Sequence, residues 1–442
     1  MNRTLKTITA AMIAASLVSG CSLIGKGKKP TPTVGDRVSV LVNELEMTVD
    51  DETAALPMVL PPAVANADWG QSGGNPSKSI GQVALGTSLG QAWTASVGQG
   101  TGKAQRLGGG PVVANGKLFT IDTTSTVRAF DAATGQALWS VQFGTEKGNN
   151  ASLFGGGVAA DASRVYATNG LGHVAALDAA TGAIVWTVQP AGPLRGAPTL
   201  DGDTIYVMSQ DNQIFSLKTA DGKTNWSNAA SLEIAGVFGT GSPAASRGTV
   251  VAGFSSGELN AYRYENGRMV WQDALSRTTI STGVASLSDI DADPVIEGNF
   301  AYALGQGGRM VALDLNSGQR VWEINMAGIA TPWVAGDWIF AVNDKAQVVA
   351  VQRMTGKIRW ISQLPQWRNG KKETGPIFYA GPVLAGGRLI LANSEGGVFN
   401  VNPATGDIQT TTRVDSGVRF QPVVASGMLY LLSDAGRITA FR

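Results

Sequence analysis

Two stretches of the chain, residues 127–139 and 174–186, repeat one pattern of apolar and polar positions at an interval of 47 residues. The first half of each stretch alternates with a two-residue period, which predicts a half-buried β-strand. Both stretches then carry Asp-Ala-Ala-Thr-Gly. This is a turn in which the Asp and Thr side chains bond nearby backbone N–H groups and Gly adopts a left-handed conformation. A second short strand follows and ends at a Trp, so each stretch predicts a β-hairpin that presents one large aromatic side chain to a neighbour.

Weaker copies of this hairpin continue along the chain and end at Trp226, Trp271, Trp322, Trp360 and Thr410. In six copies a Gly stands four residues before the Trp. An earlier Trp, at position 93, has no hairpin in front of it, but it precedes Trp139 by a similar interval. Successive Trp positions are 38 to 51 residues apart, and such a period is typical of a repeat protein.

Each repeat also has a front half. It begins at a Pro or Gly and contains a short apolar strand, a Gly-containing turn and a second strand. The starts are Pro111, Gly157, Pro198, Pro243, Pro294, Pro332, Pro382 and Pro422. Together with the hairpin, the front half gives four strands per repeat. Four-stranded units of about 40 to 50 residues are typical of β-propellers.

The number of starts and of outer strands predicts how the propeller closes. Eight starts are followed by seven outer strands, because the chain stops at Phe441-Arg442 after a third strand. Residues Gly90 to Trp93 supply the missing strand, and its pairing with the last unit leaves no frayed edge. The sequence thus predicts an all-β fold over residues 67–442. We expect an eight-bladed β-propeller of four-stranded antiparallel blades, closed by an N-terminal strand in the last blade.

The first residues have the pattern of a targeting segment, with two basic residues before an apolar run that is too short to span a bilayer. The run ends in Val18-Ser-Gly-Cys21, which resembles the lipobox of bacterial lipoproteins; the alternative is an ordinary secretory signal with an incidental Cys. The resemblance implies that residues 1–20 are a lipoprotein signal peptide and that Cys21 is lipidated. It also implies a Gram-negative source, in which Ser22 directs the protein to the outer membrane. Several acyl chains on one residue anchor a protein firmly.

Residues 21–66 are expected to form a lipidated tether and an N-terminal extension. Gly, Lys and Pro dominate residues 22–34, which have almost nothing to bury. The stretch from Val38 to Met47 is apolar enough for one short helix or strand. The Pro-rich residues after it are expected to wrap the propeller surface.

Composition narrows the class of protein. Charged residues make up 15% of the chain and Gly accounts for 57 of 442 residues, which fits a turn-rich secreted all-β protein. The formal net charge is +1, and without Arg3 and Lys6 it is −1 (32 basic against 33 acidic residues). Neither a nucleic-acid surface nor a polybasic membrane patch is therefore predicted. Cys21 is the only cysteine, so once it is acylated no disulfide, cysteine–zinc site or thiol nucleophile remains.

The repeat resembles that of the quinoprotein dehydrogenase propellers, in which each Trp docks on the next blade. Those enzymes use pyrroloquinoline quinone over a calcium ion, with an adjacent Cys pair and a catalytic Asp. This chain lacks the Cys pair, and His173, its only histidine, is expected to be exposed. The motif Asp-Ile-Asp-Ala-Asp at 289–293 begins like a calcium loop, but Pro294 replaces the required Gly and Phe300 the required Glu. We expect no catalytic residue, no cofactor and no metal, although a catalytic carboxylate pair stays open.

Seven of the eleven Trp residues occupy the repeat position, where a repeated aromatic is expected to be core. Trp333 and Trp338 flank the first turn of the sixth blade. Trp367 lies in a long basic connection, residues 366–372, and is a candidate exposed contact.

The lipobox, the repeat array and two loops together resemble the BamB family, the lipoprotein scaffolds of the complex that folds β-barrels into the outer membrane. The loops are Leu194-Arg195-Gly196 and Leu287-Ser-Asp-Ile-Asp291. The resemblance implies a non-catalytic scaffold, lipid-anchored on the periplasmic side of the outer membrane. Its implied partner is the soluble POTRA region of a BamA-like barrel assembly protein, and nascent outer-membrane proteins are further candidates. The long segment 30–66 and Pro193 depart from the family pattern.

The same resemblance implies the contact residues Leu194, Arg195, Asp289 and Asp291. All four lie in connections from an outer strand to the next blade, and such connections emerge on one face of a propeller. We therefore expect them to share a face two blades apart, with Leu194 as an apolar anchor and the charged residues as ion pairs with the partner. The alternative interpretation is that the Asp residues cap a turn and Arg195 is solvated.

Two other functions stay open. One is a quinone- or metal-dependent enzyme, which cofactor absorbance or metal analysis of the purified protein would identify. The other is a cell-envelope lipoprotein that binds polysaccharide or peptidoglycan through exposed aromatic residues, which retention on glycans would identify.

Overall fold

The structure is a computed structural model, and it describes residues 47–145, 156–232, 239, 241–275 and 288–442. The predicted signal peptide, Cys21 and the tether lie outside these residues, so they stay predictions. The short element expected from Val38 to Met47 also lies outside them, apart from Met47 itself.

Thirty-two strands of the described residues form eight four-stranded antiparallel sheets, which are the eight predicted blades. The first elements are helix α1 (Asp51–Ala55) and strand β1 (Gln91–Ser96). Blades 1 and 2 consist, from the innermost strand outward, of β2 (Val112–Ala114), β3 (Lys117–Ile121), β4 (Thr126–Asp131) and β5 (Ala137–Gln142), and of β6 (Val158–Ala160), β7 (Arg164–Thr168), β8 (Val174–Asp178) and β9 (Ile184–Val188).

The next four blades follow in the same order. Blades 3 and 4 consist of β10 (Leu194–Asp201), β11 (Thr204–Ser209), β12 (Gln213–Lys218) and β13 (Thr224–Ala229), and of β14 (Ala244–Ser246), β15 (Thr249–Gly253), β16 (Glu258–Arg263) and β17 (Met269–Ala274). Blades 5 and 6 consist of β18 (Val295–Glu297), β19 (Phe300–Leu304), β20 (Met310–Asp314) and β21 (Arg320–Ile324), and of β22 (Trp333–Ala335), β23 (Trp338–Val342), β24 (Gln347–Gln352) and β25 (Ile358–Gln363).

A small hairpin of β26 (Trp367–Asn369) and β27 (Thr374–Pro376) links blades 6 and 7. Blade 7 consists of β28 (Tyr379–Ala385), β29 (Arg388–Asn393), β30 (Gly397–Val401) and β31 (Ile408–Arg413). Blade 8 consists of β32 (Val423–Ala425), β33 (Met428–Ser433), β34 (Arg437–Phe441) and, outermost, β1.

The core lies in layers between successive blades. In blade 1, four of the five residues of β3 are buried, whereas the outermost strand β5 has no fully buried residue. The inner strands are covered on both faces because each blade stacks on its two neighbours, and the outermost strand keeps a partly solvated edge. One buried cluster joins blades 1 and 2, for example, through Phe119 and Leu177.

Blade 8 confirms the predicted closure of the ring. Strand β34 pairs with β33 on one side and with β1 on the other, with Gln91 opposite Phe441 and Ser96 opposite Arg437. Two backbone hydrogen bonds of 2.9 Å between Gly90 and Arg442 extend the same ladder. The two ends of the repeat array are therefore joined within one sheet.

Each repeated Trp docks on the next blade, as the resemblance to the quinoprotein repeats implied. Its indole Nε1–H donates to a backbone carbonyl in the turn between the third and fourth strands of that blade, at 2.8–3.2 Å. The donors are Trp93, Trp139, Trp186, Trp226, Trp271, Trp322 and Trp360, and the acceptors are, in the same order, Ala132, Ala179, Thr219, Tyr264, Leu315, Arg353 and Pro403. Each bond satisfies the one polar group of a largely covered ring.

The Gly of each of these turns faces the Trp of the preceding blade, not the Trp that follows it in sequence. At Gly135 φ is +74°, and a Cβ would lie 2.5 Å from the ring of Trp93. The equivalent distances in the other six turns are 2.5–2.9 Å. Positive φ and lack of space thus both select Gly. In blade 8 the third and fourth strands come from opposite ends of the chain, so no such turn joins them, and blade 7 carries Thr410 where the other blades carry Trp.

The antiparallel order of the strands gives the propeller two different faces. On one, which we call the connection face, the chain passes from the outermost strand of one blade to the innermost strand of the next. On the other, the turn face, lie the Asp- and Gly-containing turns and the turns that follow each innermost strand.

The described part of the N-terminal extension follows the propeller surface, as expected. Residues 47–56 run along the outer edge of blade 6, where Val49 forms a parallel bridge with Ile358. The ammonium of Lys357 lies 3.1 Å from the carboxylate of Asp50, just before α1. This segment covers backbone groups that the outermost strand of blade 6 would otherwise expose.

Residues 66–86, which we call the axial segment, run around the propeller axis at the turn face. They hydrogen-bond to the innermost strand, or to the turn after it, of blades 8, 1, 2, 3, 4, 5, 6 and 7 in that order. The bonded pairs are Asn66–Ser426, Trp69–Val113, Gly70–Ala160, Gln71–Leu200, Pro76–Ala245, Ser77–Ile296, Gly81–Trp333 and Val83–Leu384. Because every blade is contacted, the axial segment closes one end of the central channel.

Four Trp residues, Trp69 among them, lie outside the repeat position, and their environments differ. Trp333 is buried and stacks on Trp69 with ring centroids 6.0 Å apart. Trp338 is also buried, with the guanidinium of Arg359 5.3 Å from its ring centroid. Trp367 begins β26 and is partly exposed, so its use as a contact stays a prediction.

Candidate functional site

The four predicted contact residues lie at the connection face, on the segments that lead into blades 3 and 5. Leu194 and Arg195 begin β10, and Asp289 and Asp291 shortly precede β18. The structure brings three of them together. Nη1 of Arg195 is 3.5 Å from Oδ1 of Asp289, and the carboxylate of Asp291 interacts electrostatically with both.

Arg195 ties blades 3, 4 and 5 to one another. Its Nη1 donates to Oγ of Ser255 and its Nη2 to the carbonyl of Gly253, both at 2.7 Å and both in blade 4. Its ionic partner Asp289 leads into blade 5. The side chain of Arg195 has no exposed surface. Removal of one partner of such a buried pair leaves the other charge uncompensated, so the pair fixes the positions of these segments.

Leu194 is fully buried between blades 2 and 3, in a cluster with Tyr166 and Ile205. We expected an apolar anchor for a partner, and the structure places this side chain in the core instead. Arg195 is likewise not the solvated side chain of the alternative interpretation. Their positions in the sequence predicted that these two residues lie at the connection face, but not that their side chains are buried. Contact of this region with a partner stays a prediction.

Asp291 is the least buried of the three charged residues. Its Oδ2 accepts a hydrogen bond from Nε2 of Gln306, and its Oδ1 has no hydrogen-bond donor among the described residues. Burial, followed by the negative charge of Asp289, raises the pKa of Asp291 to about 7, and the charge of Arg195 opposes this shift only in part. The carboxyl of Asp291 therefore titrates near neutral pH.

A second charged pair at this site was not predicted from the sequence. Lys78 of the axial segment is buried, and its Nζ donates to Oγ1 of Thr199 at 3.1 Å. It interacts electrostatically with Asp293, which accepts hydrogen bonds from the backbone N–H of Ser242 at 2.7 Å and the hydroxyl of Ser72 at 2.5 Å. Burial lowers the pKa of Lys78 to about 8, and the charge of Asp293 limits this shift.

Charged residues of both pairs line a cavity of about 500 Å³ in the central channel. Trp69, Ser72 and Gly73 of the axial segment form its floor. Its wall contains residues in or just before the innermost strands of all eight blades, where the chain comes in from the connection face. The cavity is therefore closed toward the turn face and approached from the connection face.

Apolar side chains lie at the mouth of this cavity. Ile329 and Phe378 are 42% and 47% exposed. Both also line an adjoining cavity of about 210 Å³ over blade 6, which contains Asp344. The two cavities share Gln306 as well, so they form one continuous depression in the connection face.

Within the described residues, no group of three or more His, Cys, Asp or Glu side chains is arranged to hold a metal ion. The side chains of the calcium-like motif at 289–293 instead have protein partners of their own. His173 is partly exposed. In the same part of the chain, every helix is too short or too polar to cross a membrane.

Four-stranded repeats joined by docked Trp residues define a propeller of the quinoprotein-like class, and solved structures share this fold. The crystal structure of BamB from Moraxella catarrhalis aligns with a TM-score of 0.66 at 21% identity, over 80% of this chain and 100% of that one. A quinohemoprotein alcohol dehydrogenase from Comamonas testosteroni aligns with a TM-score of 0.65 at 14% identity, over 86% and 81%. At these identities the likeness shows the fold alone.

The sequence distinguishes the family within this class. The family model described as outer membrane protein assembly factor BamB matches residues 80–146, 123–362 and 365–442. The outer membrane protein assembly factor BamB of Salmonella typhimurium is 29% identical over 390 residues, which cover 79% of this chain and 87% of that protein. The chain therefore belongs to the BamB family of outer-membrane protein assembly factors.

Proposed function

We propose that this protein is a non-catalytic scaffold of the complex that assembles β-barrel proteins in the outer membrane. A lipid on Cys21 anchors it at the periplasmic side of that membrane. It binds the POTRA region of a BamA-like partner and assists the insertion of nascent outer-membrane proteins. The observation that carries this proposal is the match of the BamB family model to nearly the whole propeller.

The state of the charged groups in the channel supports a scaffold rather than an enzyme. Arg195 is hydrogen-bonded to blade 4 and paired with Asp289. Lys78 and Asp293 connect the axial segment to blades 3, 4 and 5 through their hydrogen bonds and charges. These groups hold structural elements together, whereas a catalytic acid or base needs access to a substrate proton.

We place the partner contact on the connection face over blades 3 to 5, where Leu194, Arg195, Asp289 and Asp291 lie. Leu194 and Arg195 act from within, because their buried side chains set the positions of the segments that reach the surface. Asp291, which is partly exposed, faces the partner directly. A single accessible carboxylate on a rigid support suits a modest contact of defined orientation.

Affinity capture by an immobilised POTRA fragment tests this proposal. Asp291→Lys reverses one charge at the contact and should lower capture at least tenfold, because the partner's cationic group would face a like charge. Asp415→Lys is the matched control: it makes the same change on the connection face near blade 8, where Asp415 forms an exposed ion pair with Arg437. Circular dichroism would verify that both variants fold. Equal capture of the two variants would place the contact elsewhere.

A further inference from the structure

The channel contains a carboxylate, Asp291, whose charge is only partly matched by the described residues around it. Among the described residues, the channel between blades 3 and 5, together with the axial segment, contains two cations, Arg195 and Lys78, and three carboxylates, Asp289, Asp291 and Asp293. Arg195 pairs with Asp289, and Lys78 faces Asp293. Asp291 lies beside both Asp289 and Arg195 and accepts a hydrogen bond from the neutral amide of Gln306, and these groups balance its negative charge only in part.

Buried polar atoms beside Asp291 also lack partners. Oγ of Ser242, a residue only 2% exposed, has no hydrogen-bond partner among the described residues, nor have Nε of Arg195 and Oδ1 of Asp291. Ser242, Arg195 and Asp291 all line the 500 Å³ cavity. A buried polar atom without a partner is unfavourable by about 1–3 kcal/mol, so the protein alone does not fully satisfy the polar groups of this wall.

The shape and the apolar mouth indicate which kind of ligand would fit. A cavity of this size lies within the range of about 300–1,000 Å³ that is common for ligand sites. The second cavity extends it over blade 6, past Ile329 and Phe378. A compact ion would fill only the inner end, whereas an extended chain would occupy both cavities and cover the two exposed apolar side chains.

Charge fixes the direction of such a chain. On the opposite side of the cavity, near blades 1 and 8, lie Arg106 and Arg419, and Arg419 is paired with Asp434 at 2.8 Å. Because Arg419 is paired, Arg106 is the residue that repels a cationic group on that side, and Asp291 attracts one on the other. An ammonium or guanidinium there would form a charge-assisted hydrogen bond with the carboxylate of Asp291.

We propose that the channel mouth binds an extended polypeptide segment in which a Lys or Arg adjoins an aromatic or aliphatic residue. The basic group enters the channel and binds the carboxylate of Asp291. The apolar neighbour packs on Ile329 and Phe378. This inference rests on the proposed function only in that a barrel-assembly scaffold meets polypeptide partners.

Fluorescence anisotropy on the purified full chain in detergent tests the inference with labelled peptides. The probe is acetyl-Gly-Phe-Lys-Phe-Gly-amide, and its control has norleucine in place of Lys, which keeps the stem and removes the charge. We expect the Lys peptide to bind at least tenfold more tightly than the norleucine peptide at pH 8. Asp291→Asn should abolish this preference. Asp211→Asn, the matched control on an exposed turn of blade 3 outside the cavity, should retain it.

Lowering the pH from 8 to 6 should reduce the preference as well, because the carboxyl of Asp291 gains a proton in this range. The groups that face it are Asp289, Arg195 and Gln306. Equal binding of both peptides by the wild type would overturn the inference, and so would an unchanged preference in Asp291→Asn.

A competition experiment distinguishes two sources of the ammonium group, a lysine side chain of a polypeptide and a free small amine. If n-butylamine displaced the Lys peptide at concentrations near the peptide's own Kd, the site would be one for small amines and the polypeptide proposal would be wrong. POTRA capture measured on the same preparations keeps the two proposals apart. Normal capture together with an absent peptide preference would overturn this inference and leave the proposed function standing.

Discussion

The junction between blade 8 and blade 1 offers a direct test of how the ring is held closed. Gly135→Ala would add a Cβ 2.5 Å from the ring of Trp93, whereas the Cβ added by Gly116→Ala would have nothing within 4 Å. Both Gly residues belong to blade 1, and their φ values are nearly equal, +74° and +72°. The two substitutions therefore share the backbone cost and differ only in the clash with the indole.

The expected changes in the free energy of unfolding follow from the backbone cost and from the clash with the indole. An Ala residue at positive φ costs about 1–2 kcal/mol, and the lower entropy of the unfolded chain offsets about 0.4–1 kcal/mol of this. Gly116→Ala should thus reduce the free energy of unfolding by about 0–1.6 kcal/mol. Gly135→Ala must also displace the Trp93 ring, and overpacking of this kind costs about 1–3 kcal/mol. We expect the difference between the two variants to be about 1–3 kcal/mol.

Equilibrium urea unfolding, followed by both fluorescence and circular dichroism, measures this difference. Coincident transitions and equal m-values would justify the comparison of free energies. In a Trp93→Ala background the extra cost of Gly135→Ala should disappear, because the clashing ring is gone. A difference below about 0.5 kcal/mol between the two Ala variants, or one that persists without the indole, would refute the docking described for this junction.

Three further outcomes are expected. Deletion of residues 437–442 removes β34, which pairs with both β33 and β1, and should abolish the cooperative melting transition; an unchanged transition would exclude this closure. Cys21→Ala should release a folded protein from membranes in fractionation, and labelled palmitate in that variant would argue against the anchor. The unfolded chain holds the Lys78 proton up to about pH 10.5 and the folded protein only up to about 8, so wild-type stability should rise between these values. The stability of Lys78→Met should not rise in this range, and parallel pH profiles of the variant and the wild type would contradict the prediction.

The blades could be predicted because their signal is repeated. The Trp interval and the Pro starts indicate the same four-stranded unit in every repeat, and the count of strands was enough to assign the closing strand to Gly90 to Trp93. The axial segment gives no such signal. Its sequence is rich in Gly and Ser, and most of its contacts use backbone groups that every residue has.

The candidate site was predicted in part for a related reason. Strand order determines the face at which a connection emerges, so Arg195, Asp289 and Asp291 could be assigned to one face from sequence. How deeply a side chain lies depends on packing between blades, and for this reason the burial of Leu194 was not foreseen. The interaction between Lys78 and Asp293 joins two segments far apart in sequence, and neither residue carries a pattern that points to the other.

The axial segment also sets a limit on how this repeat array can evolve. Repeat proteins usually gain or lose units with little penalty, because each unit contacts only its neighbours. Here a stretch that is not itself a repeat bonds to all eight innermost strands in order. A duplicated blade would find no bonding position on it, and a deleted blade would leave one position empty and shift those after it. Blade number is thus fixed by the axial segment, while the sequence of each blade remains free to diverge.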